Sequence, residues 1–346
     1  LGYLYGNVTI GLGYKAERHE GKLTGLSAHG KIIKKIGFSK VFKVEGDKII
    51  AKNIKDNFIP FFLRGKNTWK MSNFFNDMKK YSRADISATV QYVLEKIIVE
   101  YIKKNIPMKS SLLLSGGIFA NVKLNQKVKE INLNRYLFVT PPMSDFGLCL
   151  GGLQKYSNTQ TIRVNNMYLG PEFKNKYILN ILSKDKRLSF FSIKDDKKLT
   201  KFIIEKFNNK KIIAIFNGKM EFGPRSLCNR SIIFPATEKS INKKVNKRLN
   251  RSDFMPFAPV IIDKYAKKNL KNYKKHDDLA KFMTVTYKCK DKFVKKYPAA
   301  IHVDKTARPQ ILHKKDNSWF YKILKNYKKF KKEDCLMNTS FNNHEE

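Results

Sequence analysis

Apolar positions along the chain fall into short runs broken by glycine and charge, and their period changes with position. In the first 60 residues the runs Val8–Ile10, Ile32-Ile33, Val41–Val44 and Ile49-Ile50 are brief and bounded by turn residues, which predicts strands and turns. Between them, Glu20-Gly-Lys-Leu-Thr-Gly-Leu-Ser-Ala-His-Gly30 reads as a glycine-punctuated loop. The period then lengthens. Ser82-x-x-Asp85 has the form of a capping box, and Ile86, Val90, Val93, Leu94, Ile97, Ile98, Tyr101 and Ile102 follow at helical spacing. A helix with one buried face is expected there.

Ser111–Leu114 and Tyr136–Thr140 read as strands. The first runs into Ser115-Gly116-Gly117 and a helix carrying Asn121, the second into Pro141-Pro142-Met-Ser-Asp145-Phe-Gly147. Strand, Gly-Gly turn and helix is an arrangement in which helix amides can face a phosphate, although such turns are often only structural. Gln154–Thr161 is nearly all polar and suits a linker. After Tyr168-Leu-Gly-Pro171, helices near 172–183 and 196–208 precede a buried strand, Ile212–Phe216. Both halves are therefore expected to be mixed α/β. The division is placed near 160–168, with domains 1–160 and 168–346.

A chain of 346 residues can bury a sizeable core and suits two domains. Its 42% hydrophobic and 12% aromatic content is ordinary for a globular protein. The formal net charge of +41 is not, and it raises nucleic-acid binding as one reading. Yet of 70 Lys and Arg only 11 are Arg, and the lysines are scattered. Phosphate readers favour the arginine fork, whereas Lys and Asn share AT-rich codons, so genome composition is a sufficient explanation. Nucleic acid is not expected as the partner. Cys149, Cys228, Cys289 and Cys335 are too widely spaced for a zinc ribbon or a disulfide framework, which suits a reducing cytoplasm. No apolar run approaches the roughly 18 residues that span a bilayer. The chain opens Leu-Gly-Tyr and stops at Glu345-Glu346 inside a motif, which predicts a piece of a longer protein.

The densest chemistry follows the strand ending at Phe216. Asn217–Ser231 places two glycines, a Pro, a Lys, two Arg, two Asn and two Ser in one short stretch. Glycines let a backbone approach a ligand, and Arg225 and Arg230 offer forks that match phosphate or carboxylate oxygens. Such a loop suits a polyanionic substrate, or else a basic surface turn. Three further segments follow: the aromatic-proline stretch Asp253–Pro259, the polar run Ile301–Gln310 containing His302, Asp304 and Arg308, and the cluster Met337–Asn342. His302 can serve as general acid or base, as a donor to phosphate, or as a satisfied structural residue.

In this order, these four segments resemble the carbamoyltransferases that act on small-molecule hydroxyl groups, among them the nodulation-factor, tobramycin and cephamycin enzymes. Residues 1–153 resemble the later part of that family's N-terminal domain, an actin-like (ASKHA-type) ATPase architecture shared with tRNA threonylcarbamoyl-transfer enzymes. The resemblance rests on Glu20–Leu26, Ser115–Asn121 and Pro142–Gly147. It implies that Ser115, Gly116, Gly117 and Asn121 cradle a nucleotide. It also implies that Asp145 ligates a divalent metal, iron or magnesium-like, with partners from an upstream His-x-x-x-His segment. No pair among His19, His29, His276, His302, His313 and His344 has that spacing, and Asp145 can equally be a turn or cap residue.

Residues 168–346 resemble the YrdC-like C-terminal domain, which in the family makes carbamoyladenylate from carbamoyl phosphate and ATP. The resemblance implies ATP and carbamoyl-phosphate contacts from Lys219, Glu221, Gly223, Arg225, Asn229, Ser231, Arg308, Gln310, Asn338 and Ser340. It assigns catalysis to His302, Arg230 and Asp304. Lys219 stands where relatives usually carry Arg, Met255 likewise, and Glu346 resembles the start of a closing Glu-Pro segment. The function so implied is ATP-dependent carbamoyl transfer to a hydroxyl of a small molecule or glycan. A tRNA-directed threonylcarbamoylation-type factor and an inactive binding module are the alternatives. Two geometric expectations follow. Arg225, Arg230, His302, Arg308 and Asn338 should meet in one cleft, and Ser115-Gly-Gly117 should open a helix beside Asp145.

Overall fold

A computed structural model describes residues 1–52, 78–131, 136–157, 165–251, 257–274 and 277–342. Met255, His276, His344, Glu346 and half of the expected linker, residues 158–161, lie outside these residues. Helices and sheets alternate in both halves, so the mixed α/β class holds.

The start of the chain is helical where strands and a loop were expected. Helix α1 (Gly2–Gly11) takes in Val8–Ile10, because Leu4, Val8 and Leu12 recur at helical spacing and are buried together. Helix α2 (Glu20–Leu26) forms despite its glycines: Glu20 sits in its first turn, where the helix dipole favours a carboxylate, and accepts the Glu17 amide at 2.6 Å. A short 3₁₀ turn, Ser27–His29, follows. At Gly30 a Cβ would lie 2.0 Å from the Ala84 carbonyl oxygen, so only glycine lets the chain cross here. Strands β1 (Phe42–Glu45) and β2 (Lys48–Ala51) form an antiparallel hairpin, and Ile32-Ile33 is not a strand.

Helix α3 (Arg83–Asn105) begins as its capping box requires. Ser82 Oγ accepts the Asp85 amide at 3.1 Å and donates to Asp85 Oδ2 at 2.8 Å. Ile86, Val90, Val93, Leu94, Ile97, Ile98 and Ile102 are buried as the spacing demands. Strand β3 (Leu112–Leu114), helix α4 (Val122–Ile131) and strand β4 (Leu137–Val139) make a parallel pair with a crossover helix, and α5 (Phe146–Tyr156) follows.

In the second half, helices α6 (Asn175–Lys184) and α7 (Asp196–Asn208) precede strands β5 (Ile213–Phe216) and β6 (Arg230–Pro235). Then come α8 (Ser240–Arg248), β7 (Ala258–Ile262), a small β8–β9 ladder (Tyr287–Lys288 with Thr306–Ala307) and β10 (Gln310–Leu312). Helix α9 (Ser318–Lys331) and strand β11 (Cys335–Ser340) end the described chain. One five-stranded sheet results, in the order β10-β7-β11-β6-β5, antiparallel except for β10 with β7. Alternation along β6 and β11 sends Ile233 and Leu336 toward Phe207, Phe320 and Tyr327, and Phe234 and Met337 toward the opposite core. Ile213–Phe216 is a strand but not a buried one: it is the sheet edge, and only Ile215 is buried.

Helix α4 is the seam between the halves. Asn125 Nδ2 donates to the Thr284 carbonyl at 2.7 Å, Thr286 Oγ1 donates to Gln126 Oε1 at 2.7 Å, and Lys129 pairs with Asp277. Leu124 and Val128 on the same helix join a hydrophobic cluster that runs from Leu4 to Met337. Among the described residues no helix is long and apolar enough to cross a membrane.

Candidate active site

A cavity of about 260 Å³ opens at this seam. Its first wall is the glycine face of α2 (Gly21, Thr24, Gly25) with Lys123 of α4; the second carries Arg225, Arg251, His302, Arg308, Asn338 and Ser340. The Asn217–Ser231 loop is shaped from within by Glu221. Its buried Oε1 accepts the amides of Leu227 at 2.6 Å, Asn229 at 2.8 Å and Arg230 at 3.2 Å. The turn is sharp enough that Cys228 adopts φ +80°, with its amide donating to Ser231 Oγ at 3.0 Å. The outcome is that Arg225 faces the cavity.

The electrostatics are one-sided. Burial lowers the Arg225 guanidinium to about 10. Burial, and then the charges of Arg225 and Arg251, drive Arg308 well below its ordinary value. Arg251 is lowered by burial while it donates to Thr339 Oγ1 at 2.6 Å and Ser340 Oγ at 2.7 Å. Among the described residues, none of these arginines pairs with a carboxylate, and Arg225 Nε has no hydrogen-bond partner. Uncompensated cations in a half-buried cavity are costly unless an anion joins them. Asp304, the carboxylate lining the same cavity, is otherwise engaged. It pairs with Lys123, accepts Thr306 Oγ1 at 2.6 Å and lies 3.4 Å from His302 Nδ1. Burial pushes its carboxyl up, but the hydrogen bonds from His302, Lys123 and Thr306 outweigh it and hold it well below the usual carboxylate range.

Of the five residues expected to meet, Arg225, His302, Arg308 and Asn338 do, and Arg230 does not. Arg230 donates to the carbonyls of Asn217 at 2.9 Å, Asn229 at 3.1 Å and Gly218 at 3.0 Å, and lies 3.7 Å over the Phe216 ring. It staples the loop to the sheet edge and is absent from the cavity wall. Several expected ligands likewise turn inward. Asn229 donates to the Lys219 carbonyl and accepts from Asn317 Nδ2, and Ser231 caps the Cys228 turn. Gln310 Oε1 accepts Asn338 Nδ2 at 2.9 Å, which aims Asn338 from below. Lys219 is exposed away from the wall, and Gly223, with φ +104°, serves the turn. Ser340 does line the cavity.

In the first half, the exposed turn Ser115-Gly116-Gly117 opens a 3₁₀ turn rather than an α-helix. It adjoins the Asp145 loop, since the Gly116 amide donates to the Met143 carbonyl at 2.6 Å. Asn121 is committed to structure: it exchanges amide hydrogen bonds with Gln91 at 2.8 and 3.2 Å and accepts the Leu124 amide at the start of α4. Asp145 is exposed, and among the described residues no three His, Cys, Asp or Glu side chains cluster to hold a metal. These residues do not by themselves form a divalent-ion site. Arg251, Lys123 and the α2 wall were not among the site residues expected from the sequence. Arginine scarcity was the available signal, because three of the 11 arginines end in this one cavity.

The chain is thus a two-part α/β fold with an arginine-lined cavity at its seam. The family model described as carbamoyltransferase N-terminus matches residues 1–153, and that described as carbamoyltransferase C-terminus matches residues 204–346. The chain belongs to the carbamoyltransferase family. Two uncharacterised proteins of Methanocaldococcus jannaschii are similar to it: one is 33% identical over 100% of this chain and 66% of its own length, the other 30% identical over 99% and 57%. Nodulation protein NolO of Bradyrhizobium diazoefficiens is 29% identical over 76% of this chain and 49% of its own length. The chain thus spans about half to two thirds of the length of these three relatives.

Proposed function

We propose that the protein is an ATP-dependent O-carbamoyltransferase and that its seam cavity brings carbamoyl phosphate and ATP together. Arg225, Arg251 and Arg308 facing one cavity without a carboxylate partner among the described residues carry this reading. Two anionic substrates repel one another, and fixed forks around them offset that repulsion and the charge that develops in the transition state.

In this scheme water attacks the carbamoyl carbon of carbamoyl phosphate, and its C–O bond to phosphate breaks to leave carbamate and inorganic phosphate. A carbamate oxygen then attacks the α-phosphorus of ATP, and pyrophosphate departs. A hydroxyl of a small molecule or glycan finally attacks the carbamoyl carbon, loses its proton and releases AMP. His302 suits the first step: Asp304 lies at its Nδ1, and among the described residues its buried Nε2 has no partner. The parallel β3–β4 pair with its Ser-Gly-Gly turn supports an actin-like first part, and the mixed sheet a YrdC-like second part.

The test is pyrophosphate release from ATP in the presence of carbamoyl phosphate. Arg308→Ala should lower it roughly a hundredfold, on the order of 3 kcal/mol. No pyrophosphate from the unaltered protein, together with tight tRNA binding, would replace this reading with the tRNA-directed one.

A further inference from the structure

Lys123 belongs to the half of the chain that does not carry the cavity's arginines, yet it closes the hydrogen-bonding of Asp304. The two carboxylate oxygens are divided between the halves. Oδ2 pairs with Lys123 of α4, while Oδ1 accepts the Thr306 hydroxyl at 2.6 Å and amide at 3.1 Å and faces His302 Nδ1 at 3.4 Å. The turn is tight: His302 N donates to the Thr306 carbonyl at 2.9 Å, and Lys305 takes φ +61°. The main chain of His302 is fixed by this turn, and among the described residues its buried Nε2 has no partner. Lys123, Asp304 and His302 all line the cavity.

We propose that Lys123 is a positioning residue, one that makes the protonation geometry of His302 depend on the docking of the two halves. With Lys123 in place Asp304 stays an acceptor, so His302 keeps its proton on Nδ1 and its lone pair on Nε2. Without it, Asp304 loses its cation in a site with only 21% side-chain exposure, burial favours the protonated carboxyl, and the acceptor that selects the tautomer is gone. The other groups nearby do not substitute. His29 approaches the His302 ring edge-on at 5.5 Å and is held toward its neutral form by burial and by His302. Lys239 acts on His29, and the Cys289 thiol is pushed up to about 12 by burial and then by Asp304. In a serine-protease triad the loss of the tautomer-holding aspartate costs about 10⁴-fold. Loss of the cation behind it should cost less.

The kinetic part of this inference rests on the carbamoyl-transfer reading; the nitrogen part does not. Lys123→Gln and Lys123→Arg would be compared by pyrophosphate release and by histidine ¹⁵N NMR at mildly alkaline pH, with His302 assigned from His302→Gln. We expect Lys123→Gln to lower kcat about tenfold to a hundredfold with KM for both substrates within about twofold, and Lys123→Arg to restore most of it. The His302 spectrum should show the proton on Nδ1 in the unaltered protein and a tautomer mixture in Lys123→Gln. A proton on Nε2 in the unaltered protein, an unchanged spectrum in Lys123→Gln, or a raised KM with unchanged kcat would each overturn the proposal. If the unaltered protein releases no pyrophosphate, the functional reading fails while the nitrogen spectra still decide this one. Should Lys123→Gln fail to fold, the unaltered protein and Lys123→Arg must both show the Nδ1 proton, or the proposal is wrong.

Discussion

Arg225 depresses the proton affinity of Arg308 across the seam cavity, adding to the larger effect of burial. One comes from a loop braced by Glu221, the other from the segment between β9 and β10, and both line the same space. Bringing like charges together opposes folding, so the site stores a cost that an anion relieves. The sheet and the α4 seam supply the packing that holds them there.

That cost predicts an inverse relation between stability and binding. Arg308→Met should raise the melting temperature of the ligand-free protein, because an uncompensated charge gives way to an apolar side chain of similar length. Pyrophosphate at about a hundred times its Kd should stabilise the unaltered protein by roughly 2.7 kcal/mol and the variant far less. Thermal melts with and without pyrophosphate test both. A variant that melts lower and still responds fully to pyrophosphate would count against the anion site.

Arg230 should behave differently. Its guanidinium holds three backbone carbonyls of its own loop and covers Phe216, so it acts on the fold. Arg230→Ala should cost about 2 kcal/mol in urea unfolding, the scale of lost hydrogen bonds to a charged group on a partly exposed surface. Pyrophosphate release per folded molecule should fall much less than in Arg308→Ala. An unchanged unfolding midpoint with abolished turnover would return Arg230 to the catalytic set.

The parts of the fold legible in the sequence are those set by local pattern. The α3 capping box and stripe were readable because Ser82, Asp85 and the buried isoleucines and valines lie in one continuous stretch. Val8–Ile10 misled because a β-branched run looks like a strand until Leu4 and Leu12 are seen to share its face. The glycines of α2 read as a loop, although Gly21 and Gly25 give the helix a smooth wall toward the cavity. Arg225, His302, Arg308 and Asn338 stood out as polar clusters. Arg251 and Lys123 did not, because what they do depends on the residues they meet across the sheet end and the seam.

Asp145 offers a test of how far the two halves act separately. It is exposed and makes no side-chain cap to α5, so Asp145→Ala should change stability by no more than about 0.5 kcal/mol. Pyrophosphate release should also be spared, since Asp145 is not among the cavity residues. Equal loss of pyrophosphate release and of acceptor carbamoylation in that variant would show that the halves do not divide the reaction.

The acid limb of stability isolates Asp304. Its folded carboxyl lies well below the usual range, so it releases its proton more readily folded than unfolded, where the value is about 3.9. The unfolded chain therefore binds more protons below about pH 4, and stability from this group rises with pH there. The contribution is fully present above about pH 5 and fades as pH falls from about 4 toward the folded value, at up to roughly 1.4 kcal/mol per pH unit. Asp304→Asn keeps an acceptor for Thr306 but leaves Lys123 without its partner, and should lose on the order of 2 kcal/mol at neutral pH. Urea unfolding of both proteins across the acid range would read the difference directly, because the slopes of the other carboxylates cancel. The gap should be constant from about pH 5 to neutrality and narrow steadily below about 4. A gap that stays constant down to the lowest pH at which both proteins fold would mean that Asp304 is not held ionised by Lys123, His302 and Thr306.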